Sequence, residues 1–243
     1  MWPTITLPGV GITLRSYSLF LVAGWFAFAL VGRRLLRGRP EALGHLHWLL
    51  LGLAVAETAG AEVLGRLMGD GPAFSGARPL GVRPWGGPLV FAAGAAIYVL
   101  CRRVVAYPLW DAAAIAFAAS LVCRRLGGLA SGAEVGRQTP SPLGIVTHAP
   151  FGDLNRMYPT ALYGAIFYLL AAIGLAVLYA RGRLKGRLAF LLGLMCCLWR
   201  PLVALLESGD APRLMDGSLT VEQAGCLLGG AFCLAILAPR LRS

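Results

Sequence analysis

The sequence predicts an all-α membrane protein of seven transmembrane helices, N-terminus out and C-terminus in, and three observations predict it. The first is composition: 58% of the residues are hydrophobic, only 14% are charged, and the mean hydropathy is +0.71. Soluble domains carry about 25% charged residues, and so few charges could not cover the surface of a water-soluble fold of 243 residues. The second is the presence of seven apolar runs, each near the roughly 20 residues that cross about 30 Å of hydrocarbon. The third is the distribution of lysine and arginine, which alternates from one connection to the next.

In chain order the runs are approximately 14–32, 46–68, 86–104, 108–123, 158–180, 187–206 and 219–238. Pro40, Pro108 and Pro159 stand near helix starts, where a missing N–H does no harm, and Gly/Arg clusters follow helix ends. The first connection holds Arg33, Arg34, Arg37 and Arg39, and the third holds Arg102 and Arg103. The fifth holds Arg181, Arg183, Lys185 and Arg187, and the tail holds Arg240 and Arg242. These connections carry twelve of the 22 basic residues and, among acids, only Glu41. Asp70, Asp153, Glu207, Asp210 and Asp216 lie on the other side. Basic loops face the cytoplasm, which sets the orientation.

Residues 1–243 thus read as a single integral membrane domain with structured outer loops at about 69–85 and 124–157. The second loop is rich in Gly and Pro, and long loops over a rigid bundle tend to hold function. No internal repeat is visible. No cleavable signal peptide is expected, since nothing basic precedes Arg15 and no small-residue cleavage site follows a short apolar core.

The net charge of +11 could suggest nucleic acid, but the basic residues form short clusters between apolar runs, the pattern of loops on an anionic leaflet. No nucleic-acid partner is expected. The cysteines Cys101, Cys123, Cys196, Cys197, Cys226 and Cys233 lie in or beside apolar stretches without metal-ligand spacing, so they read as packing residues. His45 and His47 read as loop or interfacial residues and His148 falls in the outer loop; no metal site is expected. Tyr17, Trp25 and Trp48 stand at depths where such rings anchor an interface.

Ionisable residues inside spans cost free energy and face protein or a wet cavity. Here they are Glu57 and Glu62 with Arg66 at the span end, Asp111, Arg124 and Arg125 at the end of the fourth run, and Arg200. Glu57 adjoins a stripe of small residues, Gly52, Ala56 and Gly60, which reads as helix packing. Arg200 sits between Trp199 and Pro201 and needs a partner. Two readings are open: a phosphate, which its rigid donor fork suits, or a structural pair with a carboxylate such as Glu57 or Glu207.

The order of these features resembles the prolipoprotein diacylglyceryl transferase family over nearly the whole chain. Ile12-Thr13-Leu14-Arg15-Ser16-Tyr17-Ser18-Leu19 is similar to the family's opening, and Pro84-Trp85-Gly86-Gly87 to its His-Gly-Gly turn. Arg125-Leu126-Gly127-Gly128, continued through Gly132, Gly136 and Arg137, resembles the signature Arg-x-Gly-Asn-x-x-Asn-Gly-Glu-x-x-Gly. Thr139-Pro140-Ser141-Pro142-Leu143-Gly144 and Tyr158-Pro159-Thr160-Ala161-Leu162-Tyr163 look like the next blocks. Arg200 stands where the family has an arginine in its sixth helix, and Glu222-Gln223 fits the opening of its last.

The resemblance implies transfer of the diacylglyceryl group of phosphatidylglycerol to the lipobox cysteine of a prolipoprotein signal peptide, with release of glycerol phosphate, in the bacterial inner (cell) membrane. It implies no metal or organic cofactor. Arg125 and Arg200 would clamp the lipid phosphate, Tyr17 would orient the head group, and Glu134 would stand in for the signature carboxylate. Gly86, Gly87, Gly127, Gly136, Tyr163 and Gln223 would form the substrate-binding surface. The chain departs from the pattern at several places. Trp85 and Tyr158 replace histidines, Gly128 and Ser131 replace asparagines, Ala133, Gly164 and Ala204 replace glutamates, and Glu62 replaces an arginine. The alternative reading is a non-catalytic family member that binds phospholipid or a partner membrane protein. A small transporter would need broken helices and a polar path through both leaflets.

Overall fold

The computed structural model is described here for residues 4–6, 13–67, 94, 98, 107–132, 134–148, 154–207, 213–214 and 219–241. Among them six helices carry the architecture: α1 (Ser16–Leu35), α2 (Pro40–Leu67), α3 (Tyr107–Ser131), α4 (Thr160–Ala180), α5 (Leu188–Ala204) and α6 (Val221–Leu241). Pro40 opens α2, as its fixed φ and missing N–H favour. The expected outer loop at 69–85 lies outside the described residues. So does the expected third span, 86–104, except for Gly94 and Tyr98, both helical.

By length and composition α1, α3 and α4 are apolar enough to cross a membrane, while α5 and the stretch Gln223–Ala238 of α6 are apolar but shorter. The outward-facing residues agree with lipid contact. Ile166, Leu169, Leu170 and Ile173 of α4, Leu198 and Leu202 of α5, and Leu227, Leu228 and Phe232 of α6 are exposed. Apolar surface on this scale is stable only against lipid or a partner.

α3 is the hub, packing on α1, α2, α4 and α5. Its sequence explains why: Ala112, Ala113, Ala114, Ala116 and Ala118 are buried, and residues this small let neighbouring helices come close. Phe28, Leu46, Leu53 and Leu109 fill one side of the core, and Ile115, Leu175, Leu188 and Leu192 the other.

One expectation is corrected. The fourth run extends eight residues past Cys123, so Arg124 to Ser131 are helical and not loop. The hydropathy drop at Arg124 marks where lipid contact stops, but a helix continues as long as its charged side chains find partners. The helical reading holds, and among the described residues three short antiparallel hairpins accompany the helices. They pair β1 (Thr4–Thr6) with β2 (Thr13–Arg15), β3 (Ile145–His148) with β4 (Leu154–Met157), and β5 (Arg213–Leu214) with β6 (Leu219–Thr220). Each leads directly or within three residues into α1, α4 or α6, and pairs backbone groups that the helices leave behind.

The buried polar residues are partnered. The Asp111 carboxylate, 2% exposed, accepts hydrogen bonds from the N–H groups of Gly186 (2.7 Å) and Leu188 (3.0 Å). A residue of α3 thus caps the first turn of α5, which needs donors satisfied there. Asp111→Ala leaves two amides unpaired, one buried and one half-buried, and is expected to cost about 2 kcal/mol, read as a lower unfolding temperature in detergent, with Asp111→Asn intermediate. His45, expected in a loop or interface, lies within α2, its Nδ1 2.7 Å from the Tyr98 hydroxyl. At the α5–α6 seam the cysteines pack against glycines: a methyl on Gly193 would come within 3.0 Å of Cys233 Sγ, and one on Gly229 within 3.2 Å of Cys197 Sγ.

Candidate functional site

Consecutive residues on a helix point about 100° apart, so the arginine pair that ends α3 addresses two neighbours at once. Arg124 turns to α1, where its Nε donates to the Tyr17 hydroxyl at 3.0 Å. Arg125 turns to α4. Its side chain crosses Gly164, where a methyl would come within 3.0 Å of Cδ, and its guanidinium carbon lies 5.9 Å from the centre of the Tyr168 ring. The same guanidinium donates from Nη1 to Glu134 Oε2 at 2.7 Å, with both side chains less than a fifth exposed.

Glu134 can reach Arg125 because the chain reverses after α3 and folds the carboxylate back over Gly128. A methyl at Gly128 would meet the carboxyl carbon at 2.8 Å. The Thr160 hydroxyl donates to the Glu134 carbonyl at 3.3 Å, which ties this turn to the start of α4. The chain then runs beside β4. Gly136 N–H donates to Tyr158 O, Thr139 N–H to Arg156 O, and Gln138 bridges Met157 on the edge opposite β3.

The second arginine belongs to the same face. Arg200, buried in α5, donates from Nη1 to Glu207 Oε1 at 2.5 Å. Of the two carboxylate partners weighed for it, Glu207 is the one it meets; the Glu57 side chain lies outside the described residues. Two contacts join this pair to the first. Arg137 N–H donates to Leu206 O at 2.8 Å, and Gly136 packs directly on that carbonyl, with no room for a side chain. Next to Arg200, Trp199 stacks on Phe167 with ring centres 4.5 Å apart and planes 3° from parallel, while the adjacent Tyr168 attends Arg125. One turn of α4 therefore contacts the neighbourhoods of both arginines.

The other residues expected at the site fall around this core. The Tyr163 hydroxyl donates to Leu143 O at 2.9 Å and ties the loop before β3 to α4. Gly127 receives Phe20 of α1, whose Cβ would lie 2.6 Å from a methyl there, so its missing side chain serves helix packing. Gln223 is half-buried in the first turn of α6. Gly86, Gly87, Trp85 and Ala133 lie outside the described residues.

Three participants had not been singled out from the sequence as site residues: Arg124 as the partner of Tyr17, Tyr168 beside Arg125, and Thr160 beneath Glu134. A signal existed for Tyr168, which stands four residues after Gly164 and so on the same helix face. No comparable signal existed for Tyr17 and Arg124, 107 residues apart.

The site is therefore two arginines, each opposed by a carboxylate and set in apolar and aromatic surroundings, at the end of a helical membrane bundle. The donor forks of arginine match the oxygens of an anionic phosphate or carboxylate. No curated protein matches the chain. The family model for prolipoprotein diacylglyceryl transferase matches residues 5–238, a span that includes every residue of the site. The chain belongs to the prolipoprotein diacylglyceryl transferase family.

Proposed function

We propose that the chain transfers the diacylglyceryl group of phosphatidylglycerol to the lipobox cysteine of a prolipoprotein, at the outer face of the bacterial inner membrane. Family membership makes it a multi-pass membrane transferase of lipoprotein biosynthesis. Donor lipid, residue roles and orientation are our reading. The observation that carries it is the joined pair of ion pairs, Arg125–Glu134 and Arg200–Glu207.

The reaction forms one bond and breaks one. The cysteine sulfur attacks the glyceryl carbon that bears the phosphate, the carbon–oxygen bond breaks, and glycerol phosphate leaves with the electron pair. Negative charge builds on the leaving phosphate, where guanidinium donors are worth most. Arg125 and Arg200 supply those donors. The thiol must also lose a proton, since the thiolate is the nucleophile. Glu134, held on the Arg125 guanidinium, is the carboxylate that would take it. The clamp and the base are coupled through one salt bridge. Tyr17, through Arg124, holds the mouth of the site, and Tyr163 holds the loop above it. With seven spans and the N-terminus outside, all of this lies at the outer leaflet.

Complementation of a strain depleted of its own diacylglyceryl transferase tests the reading, with prolipoprotein mobility as the readout. Wild type is expected to restore the lipid-dependent shift, and Arg125→Ala and Arg200→Ala are not. A well-expressed, correctly inserted wild type that gives no shift, even with a prolipoprotein from its own source, selects the non-catalytic reading, in which the same arginines bind phospholipid without transfer.

A further inference from the structure

The far end of α1 carries a second cationic site that the transfer reaction does not use. Tyr17 and Arg33 are 16 residues apart on one helix, which separates them by about 24 Å along its axis. At this far end Arg33, Arg34 and Arg37 wall a cavity of about 750 Å³, with Leu30, Val31 and Leu43 as its apolar lining.

The backbone that presents these arginines is fixed. Leu36 is fully buried in the core, and Gly32 admits the Leu46 side chain so closely that a methyl there would meet it at 2.7 Å. Gly38, with φ of +91°, reverses the chain at the rim of the cavity, and Arg39 N–H donates to Leu36 O at 2.9 Å to close the turn. Arg33, Arg34 and Arg37 are exposed, and none of the three has an ion-pair partner among the described residues. Glu41 is the one acidic residue between positions 16 and 56. This differs from the site at the other end, where both arginines already face a carboxylate.

Three arginines line one open groove with no carboxylate among its lining residues, and the donor forks of arginine match the oxygens of a phosphate. The apolar half of the lining says what kind. Leu30 is 67% exposed, and Phe26 and Val22 continue its line at four-residue spacing on the outward face of α1. A free phosphate makes no use of that lining, whereas the acyl chain attached to a lipid phosphate packs on it. We propose that this cavity holds the head group of an anionic phospholipid, with one acyl chain laid along Leu30, Phe26 and Val22. The site is separate from the transfer site and independent of whether the chain is catalytic.

The test is native mass spectrometry of the full-length protein in non-ionic detergent, titrated with dioleoyl phosphatidic acid and, separately, with dioleoyl phosphatidylcholine. Wild type is expected to retain one more phosphatidic acid than R33Q/R34Q/R37Q, whose affinity at this site falls roughly 100-fold, about fivefold for each arginine lost. Phosphatidylcholine retention is expected to be the same in both. Equal retention of phosphatidic acid by the two proteins overturns the proposal, as does a parallel loss of phosphatidylcholine. Displacement of the bound lipid by millimolar inorganic phosphate also overturns it, because the cavity would then be a free-anion site. Should the glutamine variant fail to insert, R33K/R34K/R37K keeps the charge that directs insertion but lacks the forks. It is expected to retain phosphatidic acid measurably less than wild type, and equal retention overturns the proposal.

Discussion

Arg125→Ala is expected to lower the rate of diacylglyceryl transfer by about 10³-fold, and the loss is expected to persist in Arg125→Ala/Glu134→Ala. The two variants separate catalysis from structure. Alone, Arg125→Ala leaves Glu134 as a mostly buried carboxylate with its 2.7 Å partner gone, which costs about 2 kcal/mol of stability. Removing Glu134 as well takes away that uncompensated charge, so the unfolding temperature of the double variant recovers toward wild type. Activity does not recover, because the phosphate donor and the carboxylate beside it are both missing. The measurements are transfer from phosphatidylglycerol to a fluorescent lipobox peptide in mixed micelles, and thermal unfolding in the same detergent. A double variant that regains both stability and activity would show that neither Arg125 nor Glu134 acts in the transfer. Arg125→Lys keeps the charge but loses the fork, and is expected to fall between wild type and alanine.

The second large effect is expected at a glycine. In Gly136→Ala the new methyl falls on the carbonyl oxygen of Leu206, a backbone atom that cannot rotate away. The segment that carries Glu134 and Arg137 must then separate from the end of α5, breaking the 2.8 Å bond from Arg137 N–H to Leu206 O. About 3 kcal/mol of destabilisation is expected, together with loss of transfer, because this contact holds the Arg125 and Arg200 halves of the site in register. Gly174→Ala and Gly225→Ala are the controls. A methyl at either position meets nothing within 4 Å, and both are expected to stay within about 0.5 kcal/mol of wild type and fully active. Normal transfer by Gly136→Ala would mean that the two halves act independently.

Much of this organisation could be read from the residues in order. Six of the seven apolar runs correspond to helices among the described residues, because lipid selects for uninterrupted apolar stretches of a set length and imprints them on the chain. Cys197 and Cys233 pack against glycines, as their apolar surroundings implied. Arg125 and Glu134, nine residues apart, meet across a single turn, and a pairing that local can be guessed from spacing. The end of α3 could not. Hydropathy reports where the apolar run ends, not where backbone hydrogen bonding ends, and the helix outlasts the apolar run by two turns.

By itself the sequence determined the class of the protein, the apolar helices, the glycines that permit close approach and the arginines available for an anion. These follow from local chemistry: hydrophobic length, backbone propensity, and a charge that lipid will not solvate. Only the tertiary structure decided which groups share a partner. Arg124 meets Tyr17 across 107 residues, Asp111 caps a helix 75 residues away, and Arg200 takes Glu207 as its carboxylate. Those choices depend on which faces of α1, α4 and α5 close on the alanine-rich surface of α3. That closure is a property of all the packed side chains together, and no single stretch of sequence encodes it.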